Sequence, residues 1–383
     1  MVIEIRASGQ SDEKNKVLGR IACSDVEFSE RNRFIRVVSQ QSDSSTLSFK
    51  GYRAVLFENE APVEIDCPFI QRLDDLNFLL DGYVVSLDFS LGAVRVLYRP
   101  DSSHNALFAT DECNSHCIMC SQPSHPSDNE KMSRELLELI ELIPDTPKHL
   151  GISGGEPTLL KDGLLDVITL LKEHFPETMI TMLSNGRMYA YEQFVKKLAE
   201  IKHPYFLTSI PLYSSHAHIH DYIVQAKGAF DQTIQGLYNA AKYGLAVELR
   251  IVLHKQTISE LLELPQYIYR NLPFVTSIIF MGLENMGYVK KNWNLLWIDP
   301  VDYMETLEKT IRYLHYRKIN TSIYNIPLCL LPKSLWSFAR KSISDFKNIY
   351  LPECTGCSVI ENCCGLFQSS KNRHSRGILK IIT

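Results

Sequence analysis

Cys113, Cys117 and Cys120 stand in C-x3-C-x2-C spacing inside ALFATDECNSHCIMCSQ, residues 106–122, on a loop that follows a short apolar strand. Three thiolates this close on one loop cannot all pair as disulfides, and a structural zinc would lack its fourth ligand. They can cap three irons of a [4Fe–4S] cube, for which thiolate is the preferred ligand. The fourth iron then has no protein ligand, and an open position is where a catalytic metal site takes substrate or cofactor. The bland alternative is a chance cluster of small buried hydrophobes.

A second cysteine group lies near the C-terminus: Cys329, then Cys354, Cys357 and Cys363 in C-x2-C-x5-C spacing, with Cys364 adjacent. Four thiolates can close the coordination of either a zinc ion or a [4Fe–4S] cluster, and spacing alone favours zinc. Cys364 cannot easily serve beside Cys363 and reads as a neighbour or a spare. Cys23 and Cys67 stand singly and read as inert buried thiols.

The remaining chemistry-bearing residues fall where strands hand over to loops. In GISGGEPTLL, residues 151–160, Gly154 and Gly155 let backbone groups approach a ligand closely, and Glu156 is an anionic acceptor suited to an ammonium. Read alone, the stretch is equally a tight strand–helix turn. Ser184 and Asn185 in LSNG, and Ser209 in SIPLYSS, supply short neutral hydrogen-bonding groups. Arg250 lies in an apolar strand and needs an anion, either a ligand carboxylate or an internal partner such as Glu248 or Glu156. His216, His218 and His220 alternate without a fourth partner and read as surface or substrate-loop residues. No separate acid–base or nucleophilic group is singled out.

The elements that must position these residues divide the chain in three. Residues 1–104 read as a β-rich domain, a small barrel or sandwich of short Val-, Ile-, Tyr- and Phe-rich strands, with a hairpin turning at Ser90–Gly92. The polar stretches Ser8–Lys16 and Ser39–Ser45 read as exposed loops. No catalytic constellation appears in this domain, so a docking module and a scaffold are equal expectations. Residues 105–318 alternate strands and helices at about 30 residues per unit, the period of parallel strands with covering helices. Helical faces are expected at Met132, Leu136, Ile140 and Ile143; at Leu160, Leu164, Val167, Ile168 and Leu171; and at Phe230, Ile234, Leu237 and Ala241. Asp299 and Pro300 cap a helix that runs to Tyr316. Six strands make an α/β partial (β/α)6 barrel, and in such barrels chemistry sits at the C-terminal strand ends. Residues 319–383 form a small cysteine-rich extension.

Composition is that of an ordinary globular enzyme, 45% hydrophobic and 22% charged, with a net charge of −4. That charge argues against nucleic acid as the main partner. No apolar run reaches the ~20 residues of a membrane span. MVIEIRASGQSDEKN lacks a secretory pattern, so a cytoplasmic chain with reduced cysteines is expected.

The cysteine loop resembles the signature of the radical S-adenosylmethionine (SAM) superfamily. In that family GGEP holds the amino group of SAM, a role the resemblance implies for Gly154, Gly155 and Glu156. The motif begins 34 residues after Cys120, with one helix and one strand between, as the family has it. The third and fourth strand ends contact the methionyl and ribose groups, which implies roles for Ser184, Asn185 and Ser209, and Arg250 becomes the candidate for the SAM carboxylate. Met119 stands where the family usually has an aromatic residue against adenine. The implied cofactors are a [4Fe–4S] cluster on Cys113, Cys117 and Cys120 with SAM at its open iron. Peptide-modifying members often carry SPASM or twitch extensions, which turns the second group, Cys329, Cys354, Cys357 and Cys363, from zinc toward an auxiliary [4Fe–4S] cluster.

More narrowly, ATDECNSHCIMCSQP, the closing LPKSLWSFARKSISDFKNIYLPECTGCSVIENCCGLF and the β-rich N-terminal region resemble the HxsC maturases of the His-Xaa-Ser system. That resemblance implies a ribosomally made precursor peptide as substrate, a second radical SAM maturase as partner, and an electron donor such as ferredoxin or flavodoxin. A radical SAM enzyme acting on a small molecule or nucleotide, and a non-enzymatic iron–sulfur or zinc protein, are the competing readings.

Overall fold

The computed structural model describes residues 3–6, 16–39, 48–62, 64–73 and 75–382. The two stretches expected to be polar loops lie, but for Lys16 and Ser39 at their ends, outside the described residues. Two compact units emerge that do not follow contiguous sequence. One comprises residues 1–107, 130–150 and 166–178, the other residues 108–129, 151–165 and 179–383.

The first unit is built on β1 (Ile3–Arg6), β2 (Lys16–Ala22), β3 (Phe34–Val38), β4 (Ala54–Phe57), β5 (Phe69–Ile70), β6 (Val84–Asp88) and β7 (Ala93–Tyr98). These form one open sheet in the order β1-β7-β6-β2-β3-β4-β5, in place of the expected barrel or sandwich. The β2–β3, β3–β4 and β4–β5 pairs are parallel and the others antiparallel. The reason is visible in burial. β4 is buried at all four positions, so the sheet is covered on both faces, which suits parallel pairing better than a half-exposed meander does. Ile35, Val37, Leu56 and Ile70 pack under Leu73, Leu76 and Leu79 on one side. Val38, Val55 and Phe57 pack with Phe49 on the other. The hairpin forms as expected, with Asp88 opposite Ala93; the Asp88 carboxylate accepts from Ser90 Oγ (2.6 Å) and Leu91 N (3.1 Å). Cys67 is half-buried, and burial pushes its thiol up to about 11. Cys23 departs from expectation and is exposed, because it lies just past the end of β2.

The second sheet contains β8 (Ala106–Phe108), β9 (His149–Ser153), β10 (Met179–Leu183), β11 (Phe206–Pro211), β12 (Ala246–Leu253), β13 (Ser277–Gly282) and β14 (Thr321–Tyr324). Their order, β14-β13-β12-β11-β10-β9-β8, follows the chain, and β10 to β14 pair in parallel. The helices between them are α1 (Asn129–Leu142), α2 (Asp162–His174), α3 (Glu192–Ile201), α4 (Ala217–Val224), α5 (Ala229–Lys242), α6 (Lys255–Ile258), α7 (Leu264–Asn271), α8 (Tyr288–Lys291), α9 (Trp293–Leu296) and α10 (Met304–Tyr316). The result is the curled α/β sheet of a partial (β/α)6 barrel, extended by β14.

Leu160, Leu164, Val167, Ile168 and Leu171 are all buried, as their 3.6-residue spacing requires. On α5 the buried stripe instead runs through Ala229, Thr233, Gly236, Leu237 and Ala240. Gly236 explains the rotation: a Cβ there would stand 2.4 Å from the Gly186 carbonyl oxygen, so the glycine lets α5 lie directly on the turn after β10. Asp299 caps as expected, accepting from Val301 N, but the chain makes a 3-10 turn before α10 begins at Met304.

Candidate active site

The cysteine loop leaves β8 and is pinned by backbone on several sides. His116 N donates to Val224 O (3.0 Å) and Ile118 N to Ile223 O (3.0 Å), which lays the loop along the end of α4. Tyr288 N donates to Cys120 O (2.8 Å), and Asn292 Nδ2 to Ile118 O (2.7 Å). Gly287 makes this approach possible, since a Cβ there would stand 2.3 Å from Cys120 O. The Arg187 guanidinium donates to Asn114 O and to Ser115 Oγ (3.2 Å), closing the other side.

Held this way, the three thiols are close neighbours in a half-buried setting. Burial, with Glu156 next, pushes the Cys113 thiol up to about 11. Burial, then Cys120 and Cys113, takes Cys117 to about 12, and burial raises Cys120 as well. Without a metal all three are protonated at neutral pH, so loading iron must displace three protons. The donor set fits an iron–sulfur cluster: three soft ligands from one loop pinned by backbone hydrogen bonds, with no fourth ligand beside them among the described residues. Among the described residues, no three His, Cys, Asp or Glu side chains converge as a single metal ion requires.

The Gly-Gly-Glu-Pro turn after β9 packs against the base of the loop. Gly155 N donates to Thr110 O (2.6 Å) and Glu156 N to Glu112 O (2.7 Å). Gly154 has φ +141°, and its Cβ would stand 2.6 Å from Thr110 O; at Gly155 the clash with Glu112 O would be 2.1 Å. These glycines serve contact between the two motifs, so no side chain at either position is tolerable.

Glu156 is 0% exposed, and its position departs from the expected ammonium acceptor. Its carboxylate accepts from Thr158 N (3.1 Å), Thr158 Oγ1 (2.5 Å), Ser184 Oγ (2.7 Å) and Asn185 N (2.6 Å). Both oxygens are thus engaged inside the protein, because the turn carries the side chain back under the end of β10. Burial raises its proton affinity against these four donors. Asn185 is delivered by this contact: its Nδ2 donates to Asn114 Oδ1 (2.6 Å) and lies 4.0 Å from Cys113 Sγ.

Ser209 and Arg250 are drawn together by a group that expectation named only as an alternative. Glu248 Oε1 accepts from Ser209 Oγ (2.6 Å) and Arg250 Nε (2.8 Å), and Oε2 from Ser277 Oγ (3.3 Å). One carboxylate therefore ties β11, β12 and β13. Met119 is buried with Ile118, Tyr213, Val289 and Leu296. The three histidines differ in exposure. His218 faces outward and His216 stands 3.5 Å from both Glu260 and Glu263. His220 is buried, contrary to expectation, on the face of α4 that also buries Ile223 and Val224. Its ring stacks on Tyr213 at 5.8 Å, and burial lowers its proton affinity to about 4.

The second cysteine group also assembles. Burial, and then the nearby Cys363 and Cys354, raise the proton affinity of Cys329, while Cys363 and Cys357 act in the same sense on Cys354. Backbone N–H groups point at the sulfurs: Leu328 N at Cys363 Sγ (3.4 Å) and Ile381 N at Cys357 Sγ (3.4 Å). A hydrogen bond from Cys364 lowers Cys363 to about 6, so Cys364 supports Cys363 and is held protonated itself.

Tyr213, Arg187, Gly287 and Asn292 were not singled out by sequence reasoning. Arg187 alone carried a local signal, as the residue following Ser184-Asn185-Gly186; the others approach the loop from distant segments.

Residues 107–268 match the profile of the Radical SAM superfamily, and over that stretch the chain is a radical SAM domain. A GTP 3',8-cyclase of Nautilia profundicola is 29% identical over 184 residues, 46% of this chain and 55% of that protein. An Fe-coproporphyrin III synthase of Methanosarcina barkeri is 30% identical over 156 residues, 40% of this chain and 37% of that protein. The chain spans about half the length or less of these curated relatives. Among solved structures, native anSMEcpe with bound AdoMet aligns with a TM-score of 0.44 and 18% identity, over 57% of this chain and 63% of that one.

Proposed function

We propose that this radical SAM enzyme reductively cleaves SAM and passes the resulting radical to a small molecule or nucleotide. The observation that carries the first half is the loop of Cys113, Cys117 and Cys120, three pinned thiols without a fourth ligand. The second half is supported by the curated relatives, a GTP 3',8-cyclase and an Fe-coproporphyrin III synthase. A [4Fe–4S] cluster on these thiols would supply the electron that breaks the sulfonium bond of SAM, giving methionine and a 5′-deoxyadenosyl radical that abstracts hydrogen from substrate.

The chain's own residues hold that chemistry in place. Arg187, Gly287 and Asn292 fix the loop. Gly154 and Gly155 bring the backbone of the turn against it, where their carbonyls suit the SAM amino group. Glu156 holds Ser184 and the Asn185 backbone, so that the Asn185 amide faces Cys113 and Asn114. Glu248 orients Ser209 and Arg250, leaving the guanidinium Nη groups for a carboxylate. Cys329, Cys354, Cys357 and Cys363 suit an auxiliary [4Fe–4S] cluster, with thiolate character at Cys363 to begin loading.

A second reading, modification of a precursor peptide of the His-Xaa-Ser type, is favoured by the closing phrase LPKSLWSFARKSISDFKNIYLPECTGCSVIENCCGLF. It would bring a second maturase as partner; either reading needs an electron donor such as ferredoxin or flavodoxin. The anaerobically reconstituted, reduced protein should form 5′-deoxyadenosine from SAM, and no 5′-deoxyadenosine would overturn the proposal. Turnover stimulated by nucleoside triphosphates or porphyrinogens supports the first substrate class; a mass change in a co-expressed His-Xaa-Ser peptide supports the second.

A further inference from the structure

The two short helices bonded to the cysteine loop also carry exposed charge. Tyr288 N at the start of α8 donates to Cys120 O (2.8 Å), and Asn292, between α8 and α9, donates from Nδ2 to Ile118 O (2.7 Å). Lys290 and Lys291 lie on α8. Two distant segments bring further cations to the same helices. Lys255, which opens α6, donates from Nζ to Asn294 O on α9 (2.9 Å), and the Arg373 guanidinium lies 4.6 Å from the centre of the Trp293 ring. Lys371 stands two residues before Arg373. All five cations are exposed, and none forms an ion pair among the described residues.

The carboxylates of adjoining segments do not offset this charge. Glu284, just after β13, is taken up by Lys347 (3.2 Å), and Asp299 and Asp302 by Arg376. A chain of net charge −4 thus gathers unpaired cations on elements bonded directly to the loop of Cys117 and Cys120. The proposed cleavage of SAM consumes one electron, which a separate carrier must supply. Electron transfer weakens steeply with distance, so the carrier has to dock beside the loop. From Lys290 the path to Cys120 is two residues of α8 and the hydrogen bond at Tyr288 N. Redox partners meet through small, weak interfaces, and opposite charge sets their encounter rate and register.

We propose that Lys255, Lys290, Lys291, Lys371 and Arg373 form the docking face for an acidic one-electron carrier protein that reduces the cluster on Cys113, Cys117 and Cys120. One electron leaves the carrier and enters the cluster, with no group transferred. Nucleic acid is the other polyanion such a patch attracts; the position of the patch, beside the loop that must receive an electron, favours the carrier.

The inference rests on the cluster assignment of the proposed function, and the experiment separates the two. Reconstituted wild type, Lys290→Glu/Lys291→Glu and Lys371→Glu/Arg373→Glu are compared with flavodoxin as the probe. Binding of oxidised flavodoxin is measured by titration calorimetry, and cluster reduction by its hydroquinone is followed by stopped-flow absorbance. At low ionic strength each variant should bind about tenfold more weakly and be reduced about tenfold more slowly. At about 1 M salt, where the Debye length is about 3 Å, variants and wild type should converge. Iron content and reduction by dithionite should keep their wild-type values. Lys196→Glu/Lys197→Glu, the same charge change on α3, should bind flavodoxin as the wild type does. Wild-type affinity in both patch variants overturns the inference, as does an equal loss in the α3 variant, which would leave only an effect of net charge. Tighter binding of a mixed-sequence RNA oligonucleotide than of flavodoxin, lost in the same variants, overturns it in favour of nucleic acid. If one patch variant fails to load iron, the other is read by the same criteria; loss of loading in both overturns the inference, because the cations would then support the loop itself. A wild type that holds no cluster, or a loaded one that yields no 5′-deoxyadenosine with dithionite, overturns the proposed function instead.

Discussion

Replacing Glu156 by glutamine tests whether the strand ends are organised as described. The carboxylate receives four hydrogen bonds, three on Oε1 from Thr158 N, Thr158 Oγ1 and Ser184 Oγ, and one on Oε2 from Asn185 N at 2.6 Å. A glutamine can keep its carbonyl toward Thr158 and Ser184, but its amide then meets the Asn185 N–H donor to donor. One buried N–H is left unpaired, at a cost of about 1–3 kcal/mol in folding stability. Alanine removes the acceptor for all four donors and should cost about 3–5 kcal/mol, as breaking a buried charged network does. Because the Asn185 side chain reaches Asn114 and lies beside Cys113, the loss should extend to the site. Denaturant unfolding of both variants gives the stability term. 5′-Deoxyadenosine formation gives the functional one, expected to fall about tenfold in Glu156→Gln for each 1.4 kcal/mol lost at the site. A Glu156→Gln protein with wild-type stability and wild-type SAM cleavage would refute the idea that this carboxylate holds β9 and β10 together. Wild-type stability with lost SAM binding would instead place Glu156 on the ligand.

Gly155→Ala should abolish cluster loading, measured as bound iron, because its Cβ would meet Glu112 O at 2.1 Å and the loop would have to move. Stability should fall as pH drops from about 6.5 toward 4. His220 and His254 are held by burial at about 4 and about 3, so the unfolded chain takes up protons that the folded one refuses. Each contributes about 2 kcal/mol by pH 5, and His254→Leu should flatten the pH dependence of the unfolding midpoint. Cys354→Ser with Cys357→Ser should lower the iron content while leaving SAM cleavage intact and substrate modification lost. Unchanged iron with zinc bound at that group would end the auxiliary-cluster reading.

The cysteine spacing, the Gly-Gly-Glu-Pro turn and the βα rhythm were legible because each depends on neighbours within a few residues. Short-range spacing dictates helical faces and places ligands on one loop. Legibility failed where partners are distant. Nothing near Glu156 shows that Ser184 and Asn185 will take up its oxygens, and nothing near Arg250 decides between a ligand and Glu248. The rotated face of α5 follows from Gly236 meeting the turn at Gly186, a contact across 50 residues. The open N-terminal sheet likewise depends on which strands become covered on both faces.

By itself, the sequence determined the spacing of both cysteine groups and the alternating architecture. Only tertiary structure decided how that chemistry is supported. It turned Glu156 inward, set Glu248 between three strands, brought Gly287 and Asn292 beneath the cysteine loop, and packed Tyr213 with Ile118 and Met119 beside it. The physical reason is that donor type is a property of each residue. Whether a donor is available to a ligand depends on which other polar groups the fold buries beside it.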